Sequence, residues 1–390
     1  MKAVCWCGAK KVRVEDVPDP KILDPQDIIV KISVTTICGS DLHLYDGYIA
    51  TMQRGDILGH EIVGEVVETG ADVRKINRGD RVVVSSIIGC GRCWHCRNQE
   101  FSLCDNSNPN GWLQEKLFNY ASAGIFGYSH MFGGYAGAQA EYIRVPFADV
   151  GAFRVPDGMN DEQALACSDA FPTGYMGADL CEIKQGDVVA VWGCGPVGQF
   201  AVKSAALLGA HKVIAIDNLP ARLRMAANVS GAITLDQNEV DVSDALKSLT
   251  GGRGPDACID AVGLESHGSN FAEHAYDRVK QALMLVNDRV AVVRQMIECC
   301  RKGGVLAIMG VYSGLVDKFP LGVAMNKGLR LRMGQMHGQK YIPRLFDHWQ
   351  KGEVDPAFVF SHRLSLDEAP RAYTMFRDKH DDCLKLALRP

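Results

Sequence analysis

The most constraining feature of this chain is an apolar run that ends in glycines at 193, 195 and 198 and restarts as a second apolar run. The first run is VVAVW (188–192). The loop Gly193-Cys194-Gly195-Pro196-Val197-Gly198 follows, then the helix-compatible stretch FAVKSAALLGA (200–210) and the second run KVIAID (212–217). Short apolar runs joined through a helix read as two parallel strands with a crossover, the unit of a doubly wound sheet. ACIDAVG (257–263) and GVLAIMGVY (304–312) continue the alternation. An all-β or all-helical fold is excluded for this half of the chain.

The loop carries a chemistry of its own. Gly193 permits the tight turn, Gly195 lets backbone approach a pyrophosphate, and Gly198 allows close packing of helix on sheet, with Pro196 and Val197 opening the helix whose N-terminus faces the phosphates. The G-x-G-x-x-G spacing is weak alone. It gains force from the strand before it, the helix after it, and Asp217, nineteen residues past Gly198. A carboxylate there accepts from adenosine ribose hydroxyls and repels a 2′-phosphate, which points to NAD over NADP, while Arg222 is the nearby residue that could hold such a phosphate.

Residues 1 to about 158 have another texture. DIIVKISV (27–34), EIVGEVVE (61–68) and DRVVVSS (80–86) are short Val/Ile runs broken by Gly, Pro and Asp, the pattern of a small β-barrel-like domain. With 390 residues the chain suits two domains. A formal net charge of -4 gives no basic face for a phosphate backbone, so small molecules rather than nucleic acid are the expected partners. No apolar run approaches a membrane span and the N-terminus lacks a signal-like apolar core, so the expected setting is cytoplasmic. There the 14 cysteines are expected as thiols and metal ligands rather than a disulfide framework.

Cys90, Cys93, Cys96 and Cys104, in CGRCWHCRNQEFSLC, are spaced to close a tetrahedron of four thiolates around one Zn²⁺. Such a shell leaves no open position, so it braces a loop and does no chemistry. An iron–sulfur cluster would use the same ligand type, and four unliganded thiols are the plainest alternative. His95 lies inside the loop but outside the completed shell.

CGSDLH (38–43), GDILGHEIVGEVVETG (55–70), the four-cysteine lobe and SDAFPTGY (168–175) stand in the order found in the medium-chain, zinc-dependent alcohol dehydrogenases, which the chain resembles over essentially its whole length. That resemblance implies a GroES-like β-rich catalytic domain, residues 1–169 with 335–390 folding back onto it, and a Rossmann cofactor domain over 170–334. It implies a second, catalytic zinc held by Cys38, His60 and Asp169, with an open fourth position. Most members have cysteine at the third place, and Cys167 is a nearby alternative; Asp169 has the right spacing to Thr173 and is similar to the glutathione-independent formaldehyde dehydrogenase and dismutase branch. Glu61 would stand behind the metal or bind it transiently. Ser40 would take the substrate proton and pass it through the cofactor ribose to His43. Val262, Met309 and Val311 would line the nicotinamide pocket. The stretch 264–290 is similar to an insertion in the formaldehyde branch that covers the adenine end, where His267 could touch the cofactor.

The implied reaction is hydride transfer between a primary alcohol or aldehyde hydrate and NAD, with formaldehyde the leading substrate, in a homotetramer or, second, a dimer. A general alcohol or polyol dehydrogenase with exchangeable NAD is the first alternative. The second is a quinone-reductase-like or non-catalytic relative without the catalytic zinc, which would have no need of Cys38, His60 and Asp169 together.

Overall fold

The computed structural model describes residues 1–49, 51–263, 290–312, 316 and 318–390. The chain divides into two compact units, one of Met1–Pro172 with Met336–Pro390 and one of Thr173–Gln335.

In the second unit the parallel sheet expected from the sequence is present. Its six strands run Ile233–Asp236, Lys212–Asp217, Val188–Trp192, Ala257–Asp260, Val305–Ile308 and Arg330–Met333 across the sheet, every neighbouring pair parallel. By order in the chain this is 3-2-1-4-5-6, so the winding reverses between Val188–Trp192 and Ala257–Asp260, the topological switch point of such a sheet. Helices cover the sheet, so its central strands are apolar on both faces rather than alternating. Ala190, Trp192, Ile214, Ile216, Cys258 and Leu306 pack on Val293, Met296 and Ile297 of the helix Ala291–Cys299.

The first unit is built on a largely antiparallel sheet. Ile28–Thr36 is its longest strand and pairs with Ile62–Thr69 on one side. The chain's last strand, Lys385–Arg389, joins it through Ala387↔Thr36 and Leu388↔Thr35. A segment more than 300 residues away in sequence thereby supplies side chains to the interior of the N-terminal strands. Ile28, Val30, Ile32, Ile62, Val66, Val82 and Val84 form the buried face, as period-two alternation requires.

Candidate zinc centres and cofactor loop

The four-cysteine lobe is shaped by backbone-to-sulfur contacts. Cys93 opens the single helical turn Trp94–Arg97, its Sγ accepting from Cys96 N at 3.4 Å. Cys90 Sγ accepts from Cys93 N at 3.4 Å and from Asn106 Nδ2 at 3.3 Å, while Cys104 Sγ accepts from Cys90 N at 3.3 Å. N–H groups aimed at sulfur favour thiolates. The neighbouring Cys96 thiol, outweighing burial, holds the Cys104 thiol far below its ordinary value. Cys90 and Cys96 sulfurs lie 4.0 Å apart, and those of Cys93 and Cys104 3.9 Å. A Zn–S bond of about 2.3 Å gives a tetrahedral edge of about 3.8 Å, so the donor set fits zinc with little adjustment. His95 is turned to Glu100, Nδ1 to Oε2 2.9 Å, and takes no part.

The second cluster gathers residues from three distant segments. Cys38 immediately precedes the helix Gly39–Tyr45, and its backbone N–H donates to Asp41 Oδ2 at 2.9 Å, which fastens the start of that helix. His60 follows Gly59, whose φ of +92° turns the chain before the strand Ile62–Thr69. Asp169 is delivered by Ser168, whose hydroxyl donates to Val84 O at 2.5 Å and accepts from Ile62 N at 3.0 Å.

Cys38 Sγ is 3.6 Å from Asp169 Oδ2, and His60 Nε2 is 3.4 Å from the same oxygen. For a tetrahedral zinc with S, N and O ligands at about 2.3, 2.0 and 2.1 Å the expected edges are about 3.6 and 3.4 Å. One thiolate and one carboxylate also neutralise a dication. Cys167 is not part of the cluster: its sulfur is buried and directed at Gln163 O, 3.5 Å away.

The electrostatics of the cluster suit a cation. Burial disfavours an imidazolium at His60, yet Asp41, Asp169 and Cys38 outweigh it and raise the ring well above the ordinary histidine value. Burial likewise opposes charge on Asp169, but His60, Lys385 and Ser86 hold it below the ordinary carboxylate value. Ser86 Oγ donates to Asp169 Oδ1 at 3.2 Å. Behind His60, Nδ1 faces Asp41 Oδ1 at 3.1 Å, a carboxylate that fixes the ring with Nε2 toward the cluster.

Glu61 belongs to the same group of converging donors. It forms a fully buried ion pair with Lys385, Oε1 to Nζ 2.8 Å, while its Oε2 is buried without a hydrogen-bond partner among the described residues. Burial, partly offset by Lys385, raises the Glu61 carboxyl. Ser40 Oγ lies 3.5 Å from His60 Nε2, and His43 is buried on the same helix.

Reading the sequence alone missed Asp41, Ser86 and Lys385. Asp41 had a findable signal, since it sits inside CGSDLH three residues after Cys38. Lys385 had none, being placed by strand pairing alone.

In the other unit the glycine loop spans the end of Val188–Trp192 and the start of the helix Pro196–Leu207. Gly193 has φ +86°, and a side chain there would strike Val262. A Cβ on Gly198 would collide with the Gly193 carbonyl, the close packing expected of the third glycine. Asp217 accepts from Cys194 N at 2.6 Å, Asn218 N at 2.7 Å and Leu219 N at 3.0 Å, so the carboxylate expected at a ribose also holds the loop in shape. Arg222 Nη1 is 4.0 Å from Asp217 Oδ2 and sits over Gly195. Val262 and the Gly263–Val311 backbone contact flank the switch point, with Met309 buried against Gly177. His267 lies outside the described residues, as does the stretch 264–289.

Two family models match the chain: an alcohol dehydrogenase GroES-like domain over residues 24–157 and a zinc-binding dehydrogenase over 196–275. An uncharacterized zinc-type alcohol dehydrogenase-like protein of Bacillus subtilis, AdhB, is 41% identical, with 100% of both chains covered. The formaldehyde dismutase of Pseudomonas putida is 32% identical, over 96% of this chain and 94% of its own. Among solved structures, the alcohol dehydrogenase TADH from Thermus sp. ATN1 superposes with a TM-score of 0.85 at 34% identity, covering 100% of this chain and 99% of its own. The chain belongs to the zinc-dependent, medium-chain alcohol dehydrogenase family. As a member it is an oxidoreductase that works with zinc and a nicotinamide dinucleotide.

Proposed function

We propose that the protein carries out reversible hydride transfer between a primary alcohol or aldehyde hydrate and NAD, with formaldehyde the leading substrate. The observation that carries this reading is the convergence of Cys38, His60 and Asp169 at zinc-ligand spacing. The aspartate in the third position and the resemblance to a formaldehyde dismutase support formaldehyde in particular.

Zinc in this site would supply Lewis acidity at an open fourth position, and NAD a hydride acceptor. The chain's own groups do the rest. Asp41 holds the His60 ring in orientation. Ser40 accepts the proton of the substrate hydroxyl, and His43 on the same helix is the next acceptor in the relay. Glu61, beside the ligands and restrained by Lys385, stands ready to compensate charge when the fourth position changes occupant. Cys90, Cys93, Cys96 and Cys104 hold the structural zinc. Gly193, Gly195, Pro196, Val197 and Gly198 cradle the pyrophosphate, and Asp217 favours NAD over NADP. A homotetrameric assembly, with a dimer second, belongs to the same reading.

A general alcohol or polyol dehydrogenase is the second reading, favoured by the alcohol dehydrogenase TADH at 34% identity beside the dismutase at 32%. The test is to incubate the purified protein, with no NAD added, with formaldehyde and separately with primary alcohols, following formate, methanol and NADH. Equal formate and methanol support the formaldehyde reading with a retained cofactor. Turnover of alcohols only on addition of NAD, with formaldehyde inert, supports the second.

A further inference from the structure

Beside the cation-suited cluster lies a phenol that the reaction outlined above does not use. Tyr128 is 7% exposed, and its ring meets Phe132 edge-on, centroids 5.4 Å apart at 75°. Its place in the chain is set by its two predecessors. Phe126 N donates to Ser86 O at 3.3 Å, and Ser86 is the residue whose hydroxyl holds Asp169. Gly127, at φ +54°, rests directly on the backbone of Gly59, so closely that any side chain at 127 would collide with it, and Gly59 is the residue before His60. Tyr128 is therefore pinned to the carriers of two of the three converging donors.

The ionisable groups close enough for its hydroxyl to feel are His60, Asp41 and Cys38. A phenol is protonated at neutral pH and able to donate. No hydrogen bond joins the hydroxyl to another described residue, which leaves it available to a ligand.

We propose that Tyr128 selects aldehyde hydrates over simple alcohols, its hydroxyl pairing with the second oxygen of a geminal diol. This rests on the zinc-dehydrogenase reading above. Oxidation of a hydrate breaks one C–H bond, whose electron pair leaves as hydride to NAD. One O–H gives up its proton and a C=O bond forms, so the products are a carboxylic acid, NADH and a proton. The second hydroxyl survives the reaction and needs a partner throughout. A simple alcohol has hydrogen or carbon in that place and leaves the phenol unmatched.

The experiment compares wild type with Tyr128→Phe, which keeps the ring and its Phe132 contact. Two readouts are taken at equal zinc content: kcat/KM with NAD for formaldehyde and for ethanol, and the Kd of acetate, a two-oxygen probe, by calorimetry. Loss of one hydrogen bond to a polar substrate group predicts a fall of about 10- to 100-fold for formaldehyde. Ethanol oxidation should stay within about threefold, and acetate should bind about tenfold more weakly. Equal falls for both substrates, or unchanged formaldehyde and acetate values, overturn the proposal. A wild type that oxidises neither substrate overturns the dehydrogenase reading instead, and the acetate comparison still decides the role of Tyr128.

Discussion

Replacing Lys385 by methionine tests the electrostatic frame of the candidate catalytic centre. Lys385 and Glu61 are 0% and 1% exposed, 2.8 Å apart and 324 residues apart in sequence. Methionine fills most of the lysine stem's volume but leaves the Glu61 carboxylate buried without its counter-ion, beside an Oε2 that already has no partner among the described residues. Breaking one side of a buried pair costs about 3 to 5 kcal/mol, whereas removing both charges is close to neutral. For a unit of this size each kcal/mol moves the midpoint by about 2 to 4 °C, so the Tm of Lys385→Met should fall by on the order of 10 °C.

The double variant Glu61→Gln/Lys385→Met should recover most of that loss. The pH dependence has a definite sign. A carboxyl whose folded value is raised holds its proton longer in the folded state, so stability is lost as pH rises from the ordinary 4.5 through the folded value. The gap between Lys385→Met and wild type should therefore narrow on acidification toward pH 4.5. Thermal unfolding by circular dichroism at matched zinc content measures all of this. A single variant within 2 °C of wild type, or a double variant no more stable than the single, would refute the argument.

Two further outcomes are expected. Cys93→Ser removes one of four sulfurs from a closed shell, so metal analysis should show a loss of about one zinc per subunit while the Cys38 cluster keeps its own; full retention would mean that the lobe does not depend on four thiolates. His337 is pushed down to about 4, by burial and by Lys340 with Glu100 opposing, and its neutral Nδ1 lies 3.1 Å from Ser102 Oγ, next to the cysteine lobe. A histidine depressed in the folded state confers stability that is present above pH 6.5 and disappears as pH falls toward 4, up to about 3 kcal/mol. Urea titrations across that window should show His337→Asn flatter than wild type; parallel curves would rule the histidine out as the source.

Much of the site was legible because its chemistry is written in local spacing. Cys90, Cys93, Cys96 and Cys104 lie within one short loop, so the chain cannot separate them by much in any fold. The glycine loop was equally clear, since strand, turn and helix are contiguous and each glycine answers a steric demand, as the collision at Gly198 shows. Cys38, His60 and Asp169 come from three segments and were brought together only by resemblance. Asp169 over Cys167 was a matter of register: two residues turn the side chain from the cluster to the Gln163 carbonyl.

What the sequence determined by itself is the kind of elements and the local ligand sets: a parallel βαβ unit around a dinucleotide loop, a strand-rich N-terminal portion and a four-thiolate lobe. These follow from period, steric permission and short spacing, which any compact fold of the chain must respect. The tertiary structure alone decided the surroundings of the second cluster. Asp41 behind His60, Ser86 on Asp169, Gly127 against Gly59 and above all Lys385 on Glu61 are set by strand pairing and backbone packing between separate segments of the chain. A buried charge is tolerated only where its partner arrives, and at Glu61 that partner arrives on the last strand.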